Sequence, residues 1–206
     1  MGGFEWYIRI GELGLKLFYL NLLWFFFSLL GLIIVGVFPA TAAMFNVLRK
    51  LIIESEDTPI FKTFWEGYKT SLIKSNIIGY ISLVIGFVLI IDIRVIQQLD
   101  SSILNQIITI SLYVILVIYA LINFYLFPIF SHYELKILEY FKYSIILVLA
   151  KPLQTVFLLL GFIVLAYMYQ KISGLIPVFG ISIFGFFAMK IASKSFSQKT
   201  PISDGN

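Results

Sequence analysis

Long apolar runs, separated by short polar intervals, dominate this chain. A helix crosses a bilayer's hydrocarbon core with roughly 20 mostly apolar residues. Runs over residues 17–38, 76–93, 103–127, 153–169 and 172–189 meet or approach that length. They predict an all-α integral membrane protein with about five transmembrane helices. Asp92 and Arg94 close the second run, and Pro128 follows the third. Lys151-Pro152 opens the fourth, where a proline suits the first turn of a helix. The fifth carries Gly174, Pro177, Gly180 and Gly185, which predicts a kink near Pro177. The pattern gives one transmembrane domain over 1–190 and a polar tail over 191–206.

Three intervals carry a 3.6-residue period of their own. In 41–54, Met44, Leu48, Leu51 and Ile52 share a face, before Glu56-Asp57-Thr58-Pro59 breaks the chain. In 61–74, Phe61, Phe64, Trp65, Tyr68 and Leu72 oppose Lys62, Glu66 and Lys69. In 133–144, Ile137, Leu138 and Phe141 oppose Glu134, Lys136, Glu139 and Lys142. Aromatic anchors with flanking lysines suit helices lying in the membrane interface. The N-terminal stretch 4–16 reads as another such helix, too short and too charged to span.

Two of these intervals align. Tyr68-Lys69-Thr70-Ser71-Leu72-Ile73 matches Phe141-Lys142-Tyr143-Ser144-Ile145-Ile146, and a proline, Pro39 or Pro128, follows each preceding span. One reading is a parallel repeat of span, elbow and span, followed by a fifth span, as transporters use. The other is that any two interfacial lead-ins share aromatic, lysine and serine positions.

Composition agrees with the pattern. The chain of 206 residues is 60% hydrophobic and 13% charged, against about a quarter charged in soluble domains. That excludes a soluble enzyme, a disordered tail and a disulfide scaffold. There is no cysteine and a single histidine, so thiolate chemistry and a multi-histidine metal site are excluded, and no cofactor is expected. The net charge of +4 lies between apolar runs, where it meets lipid headgroups rather than nucleic acid. The first run is longer than a signal peptide's core and follows Glu5 and Glu12, so it is expected to be retained.

Five alternating spans put Arg9, Lys16, Arg94 and Lys171 on one side. Arg49, Lys50, Lys62, Lys69, Lys74, Lys136, Lys142, Lys151, Lys190, Lys194 and Lys199 fall on the other. Lysine and arginine accumulate in cytoplasmic loops. The expectation is a multi-pass cell-membrane protein with its N-terminus outside and its C-terminus cytoplasmic.

Polar groups inside lipid are costly and therefore worth weighing. The candidates are Asn21, Asp92, Arg94, Asn123, Lys151 and Gln154. Either they line a pathway or hold a partner's helix, or they bond between helices and snorkel at span ends. His132 is a titratable group close to the surface, or simply a polar loop residue. No G-x-S-x-G, P-loop or metal-spaced cluster occurs, so no catalytic residue is named and no enzyme is expected. Gly31, Gly36, Gly79 and Gly86 permit close helix approach.

At Asn21-Leu22-Leu23-Trp24, and again at Gly36-Val37-Phe38-Pro39-Ala40-Thr41-Ala42-Ala43, the chain resembles the YesL family. These are small bacterial membrane proteins classed as domain of unknown function 624. Members show an Asn-Leu-x-Trp opening and a Gly-Pro-Ala-Thr-Ala-Ala close to the first span, then a basic loop with a Phe-rich amphipathic helix. Here Val37-Phe38 stands between the glycine and the proline. The resemblance implies a chain without established enzymatic activity, encoded near carbohydrate-uptake ABC transporters. Asn21, Trp24, Gly36, Pro39, Ala40, Thr41, Ala42, Ala43, Phe64 and Trp65 become candidate motif or partner-contact residues. Thr41 is placed to cap the helix beginning there. The small residues around it read either as a docking corner for another protein or as an internal corner.

Two functions compete. One is an accessory subunit bound to transporter permease subunits. The other is a small solute transporter or channel, alone or as a homo-oligomer.

Overall fold

The computed structural model describes residues 2–54, 58–100, 102–172 and 174–196. Seven α-helices account for nearly all of them: α1 Gly2–Leu30, α2 Val37–Arg49, α3 Ile60–Ile96, α4 Ile103–His132, α5 Ile137–Ala150, α6 Pro152–Lys171 and α7 Leu175–Ser195. A π-helical turn, Lys50–Glu54, extends α2. Helices α1, α3, α4, α6 and α7 are each long and apolar enough to cross a membrane. The all-α, five-span expectation therefore holds, while several boundaries move.

The first run does not continue to Phe38. Helix α1 stops at Leu30, and the chain reverses through Gly31–Gly36 before α2 begins. Leu32 and Ile33 adopt positive φ, 53° and 64°, which costs an L-residue roughly 1–2 kcal/mol. The reversal holds because its amides bond locally, Ile33 N–H to Ser28 O at 2.8 Å and Val35 N–H to Gly31 O at 3.0 Å. Pro39 does not end a span. It sits in the first turn of α2, where a helix has no amide bond to lose.

Helix α2 overturns the interfacial reading of 41–54. Ala40, Ala42, Ala43, Met44, Val47 and Leu48 are all 0% exposed, and α2 packs among α1, α3, α4 and α7. An amphipathic period reports two environments without saying which is outside. Here the apolar face meets other helices, and the polar positions Asn46 and Arg49 line a cavity. Small residues bring the partners close: a Cβ on Gly67 would lie 3.3 Å from Ala43 Cα, and one on Gly185 2.8 Å from Met44 Cε.

Residues 61–74 and 76–93 are one helix, α3, of 37 residues. No breaker separates the two patterns. Helix α4 runs through Pro128 to His132 instead of closing before it. The interval 133–144 becomes a four-residue link and α5, and α5 extends to Ala150. Pro177 falls in the first turn of α7 rather than in its middle. Helix α7 continues to Ser195, so the tail begins later than 191. Glu56, Asp57 and Lys199 lie outside the described residues.

The aligned serines of the two elbows behave alike. Ser71 and Ser144 are both buried, and each donates to the carbonyl four residues back, at 2.6 Å and 2.8 Å. Helix α2 has no counterpart between α4 and α5, so the likeness is confined to α3 and α5–α6. Lys151 and Pro152 break the second copy where α3 runs on.

Helices α1 and α7 run antiparallel. Asn21 meets Pro177 and Ile181, whereas Arg9, Leu13 and Lys16 share a groove with Phe186 and Lys190. The start of α1 and the end of α7 thus lie at one end of the bundle. Five simple crossings would make these helices parallel; the return through α2 is the physical reason they are not. Leu51 and Ile52, just past α2, line the same groove. Helices α4 and α7 run side by side in the same direction, with Phe124 on Phe184 and Ser131 on Met189.

Candidate functional site

The motif residues converge on the reversal between α1 and α2. The Trp24 indole N–H donates to Thr41 Oγ1 at 3.0 Å, and the Thr41 hydroxyl donates to Val37 O at 2.7 Å. Thr41 therefore locks the first turn of α2 to α1; it is not the cap, a place held by Gly36. Asn21 Nδ2 donates to Pro177 O at 2.9 Å, and its Oδ1 accepts from Ile181 N–H at 3.2 Å. One amide thereby grips both members of an i, i−4 backbone pair in α7. Phe27 packs its ring 5.2 Å from that of Phe64 and 5.5 Å from that of Trp65.

Gly36, Pro39, Ala40, Ala42, Ala43 and Phe64 are buried within this chain. They form an internal corner and cannot meet a partner as the structure stands. Trp65, 40% exposed, is the one exposed member of the motif set. Lys69 lies 4.9 Å above its ring.

Residues the motif did not include hold the reversal from the other side. Tyr68 Oη donates to Phe27 O at 3.3 Å, Asn76 Nδ2 to Val35 O at 3.0 Å, and Tyr80 Oη to Ile34 O at 2.5 Å. Irregular backbone survives at membrane depth only where its polar groups find partners inside the protein. The sequence signal is slight: polar side chains four apart, at 76 and 80, at the entrance to an apolar run. We expect Tyr80→Phe and Asn76→Leu each to destabilise the protein by about 1–3 kcal/mol, read as a lowered Tm in detergent. An unchanged Tm in both would show that these carbonyls find other partners.

The other intramembrane polar candidates are separated. Asn123 forms a closed set with Ser82 and Tyr119. Ser82 Oγ donates to Asn123 Oδ1, Asn123 Nδ2 donates to Tyr119 O at 2.8 Å, and Tyr119 Oη donates to Ser82 O at 2.7 Å. Asp92 and Arg94 are exposed near the end of α3, and Lys151 is exposed at the α5–α6 junction. These four candidates do not meet.

Three cavities stand out among the described residues. A groove of about 310 Å³ between α1 and α7 has cationic edges at Arg9, Lys16 and Lys190. An apolar cleft of about 480 Å³ lies beside Trp24, Pro177 and Ile181. A polar cavity of about 410 Å³ lies among α2, α3 and the α4–α5 elbow, with Asn46, Arg49, Lys74 and His132 in its wall. The elbow is fixed by Tyr140, whose Oη accepts from Leu135 N–H at 3.1 Å and donates to Tyr133 O at 3.0 Å. Burial raises the pKa of that hydroxyl, keeping it a neutral donor. Among the described residues, no group of three His, Cys, Asp or Glu side chains comes together.

Residues 17–93, from α1 through the reversal to most of α3, match the family described as "Protein of unknown function, DUF624". Three uncharacterized proteins of Bacillus subtilis (strain 168) are similar over longer stretches. YteU is 34% identical over 89% of this chain and 82% of its own length. YesL is 37% identical over 71% of this chain and 68% of its own. YesV is 32% identical over 92% of this chain and 90% of its own. No solved structure matches.

Proposed function

We propose that this chain, which belongs to the DUF624 family of YesL-like proteins, is a non-catalytic accessory subunit of a membrane complex. The observation that carries this reading is that the amide N–H groups of its three intramembrane asparagines all bond within the chain. Asn21 is spent on α7, Asn123 on Ser82 and Tyr119, and Asn76 and Tyr80 on the reversal. A solute path needs such groups turned toward a lumen. The partner the family resemblance favours is the permease of a carbohydrate-uptake ABC transporter. Contact would fall on the exposed flanks of the spans and on the Trp65–Lys69 patch, since the Pro-Ala-Thr-Ala-Ala corner is buried.

The orientation we infer places both described ends of the chain in the cytoplasm. Its support is charge. With α1 returned through α2, Arg9 and Lys16 join Arg49, Lys50, Lys62, Lys69, Lys74, Lys136, Lys142, Lys151, Lys190 and Lys194. Only Arg94 and Lys171 among the described basic residues are left opposite, a sharper asymmetry than five alternating spans give.

The test is purification of the tagged protein from its native membrane in mild detergent, with mass spectrometry of what accompanies it. Stoichiometric permease subunits are expected. Recovery of this chain alone, together with solute flux after reconstitution, would overturn the accessory role in favour of a transporter or channel.

A further inference from the structure

The polar cavity among α2, α3 and the α4–α5 elbow has features that packing alone does not require. Lys74 stands where the apolar run of α3 begins, and His132 where that of α4 ends, so the cavity opens at one edge of the hydrophobic band. Two cations, Arg49 and Lys74, face it against one carboxylate, Glu134, giving the wall a net positive charge. Among the described residues the Lys74 ammonium meets no carboxylate.

The donors are divided in a telling way. Thr70 and Ser71 spend their hydroxyl protons on Glu66 O and Gly67 O, at 2.9 Å and 2.6 Å. They offer the cavity lone pairs only. The Asn46 amide makes no hydrogen bond among the described residues. His132 Nδ1 is buried without a partner, while its ring is clamped 4.4 Å from Phe196 and 4.6 Å from Tyr133. The imidazole itself stands in the cavity wall. The ring clamp fixes the imidazole where it stands.

We propose that this cavity binds a phosphate group, held by Lys74 and Arg49 with Asn46 Nδ2 and the His132 imidazole as further donors. Phosphate is the anion this position meets most, because lipid phosphodiesters crowd the edge of the hydrophobic band and basic pockets between membrane helices take headgroups. A free phosphate monoester from the adjoining solution presents the same oxygens. The assignment is independent of the accessory role: it concerns what the chain itself holds, whether or not a permease is attached.

The experiment uses the full chain in phosphate-free maltoside detergent and buffer and reads thermal unfolding. One arm adds phosphatidylglycerol to the micelles; the other adds inorganic phosphate to the buffer. Stabilisation by phosphatidylglycerol alone would assign the site to a lipid headgroup, and stabilisation by inorganic phosphate would assign it to a soluble ligand. In whichever arm responds, Lys74→Gln is expected to weaken the apparent affinity by about tenfold or more, as loss of a charge-assisted contact does. Asn46→Asp, which keeps shape but replaces a donor with a negative charge, should weaken it as well. Lys62→Gln, an exposed change elsewhere on α3, should leave it unaltered. Lys74 is exposed, so its variant is expected to fold, and circular dichroism checks that it has. No stabilisation in either arm, or wild-type affinity in Lys74→Gln, would overturn the proposal.

Discussion

Gly36→Val should leave little folded protein. A Cβ at Gly36 would sit 2.5 Å from Ser28 O, 2.8 Å from Phe27 O and 2.9 Å from Gly31 Cα. All three are backbone atoms of the reversal itself, so no flexible side chain can move aside. A Cβ on Gly31 would meet Gly36 Cα at 2.3 Å, so the two glycines press on each other across the turn. Relief requires opening the turn, which withdraws Val35 O from Asn76 and Ile34 O from Tyr80 and pulls α2 out of the core. The expected loss is about 3 kcal/mol or more, beyond the usual cost of overpacking because the hydrogen bonds that hold the turn go with it. Tm and monodisperse yield in detergent are the readouts. Gly11 and Gly14 are the controls: nothing lies within 4 Å of a Cβ at either. Alanine there should stabilise α1 by roughly 0.5–1 kcal/mol through helix propensity. A Gly36→Val protein that melts with the wild type would show that α1 and α2 do not fold back as described.

The second expectation is all-or-none. The chain has no cysteine, so single cysteines report alone. Gly11→Cys and Lys194→Cys should both be shielded from an impermeant maleimide in intact cells and label only after permeabilisation. Gln98→Cys, exposed in the α3–α4 connection, should label at once. The reasoning is geometric first: Arg9 to Lys16 and Lys190 line one groove, so residues 11 and 194 belong to one end of the bundle. The placement of that end in the cytoplasm then follows from its concentration of lysine and arginine. Labelling of Gly11→Cys together with Gln98→Cys would restore an outside N-terminus and contradict the antiparallel pairing of α1 with α7.

Apolar run length was enough to find five membrane helices, because crossing lipid imposes a single strong requirement on sequence. It could not locate the reversal. Residues 29–38 read Leu-Leu-Gly-Leu-Ile-Ile-Val-Gly-Val-Phe, an unbroken apolar stretch whose only hint is a pair of glycines. What turns the chain there is tertiary: three side chains of α3 accept the cost of satisfying carbonyls from a distant segment. The same limit explains α2. Its periodicity was plain, but a helix between other helices in lipid shows the same alternation as one lying on the surface. The motif residues were legible as a group and their purpose was not. Trp24 and Thr41 are seventeen positions apart and bond only because the chain doubles back. The polar cavity drew on Asn46, Thr70, Lys74 and His132, single polar residues from separate elements that no spacing rule connects.

The grip of Asn21 on α7 has a consequence for how the protein is made. Its two bonds reach residues 156 and 160 positions later in the chain. The pockets that Met44 and Leu48 fill against Gly185 are likewise supplied by the last helix. During synthesis the first hairpin therefore precedes the helix that takes up the Asn21 amide, and it waits for α7 to complete its packing. Helix α7 completes the packing of α1 and α2, more than 120 residues after they have emerged.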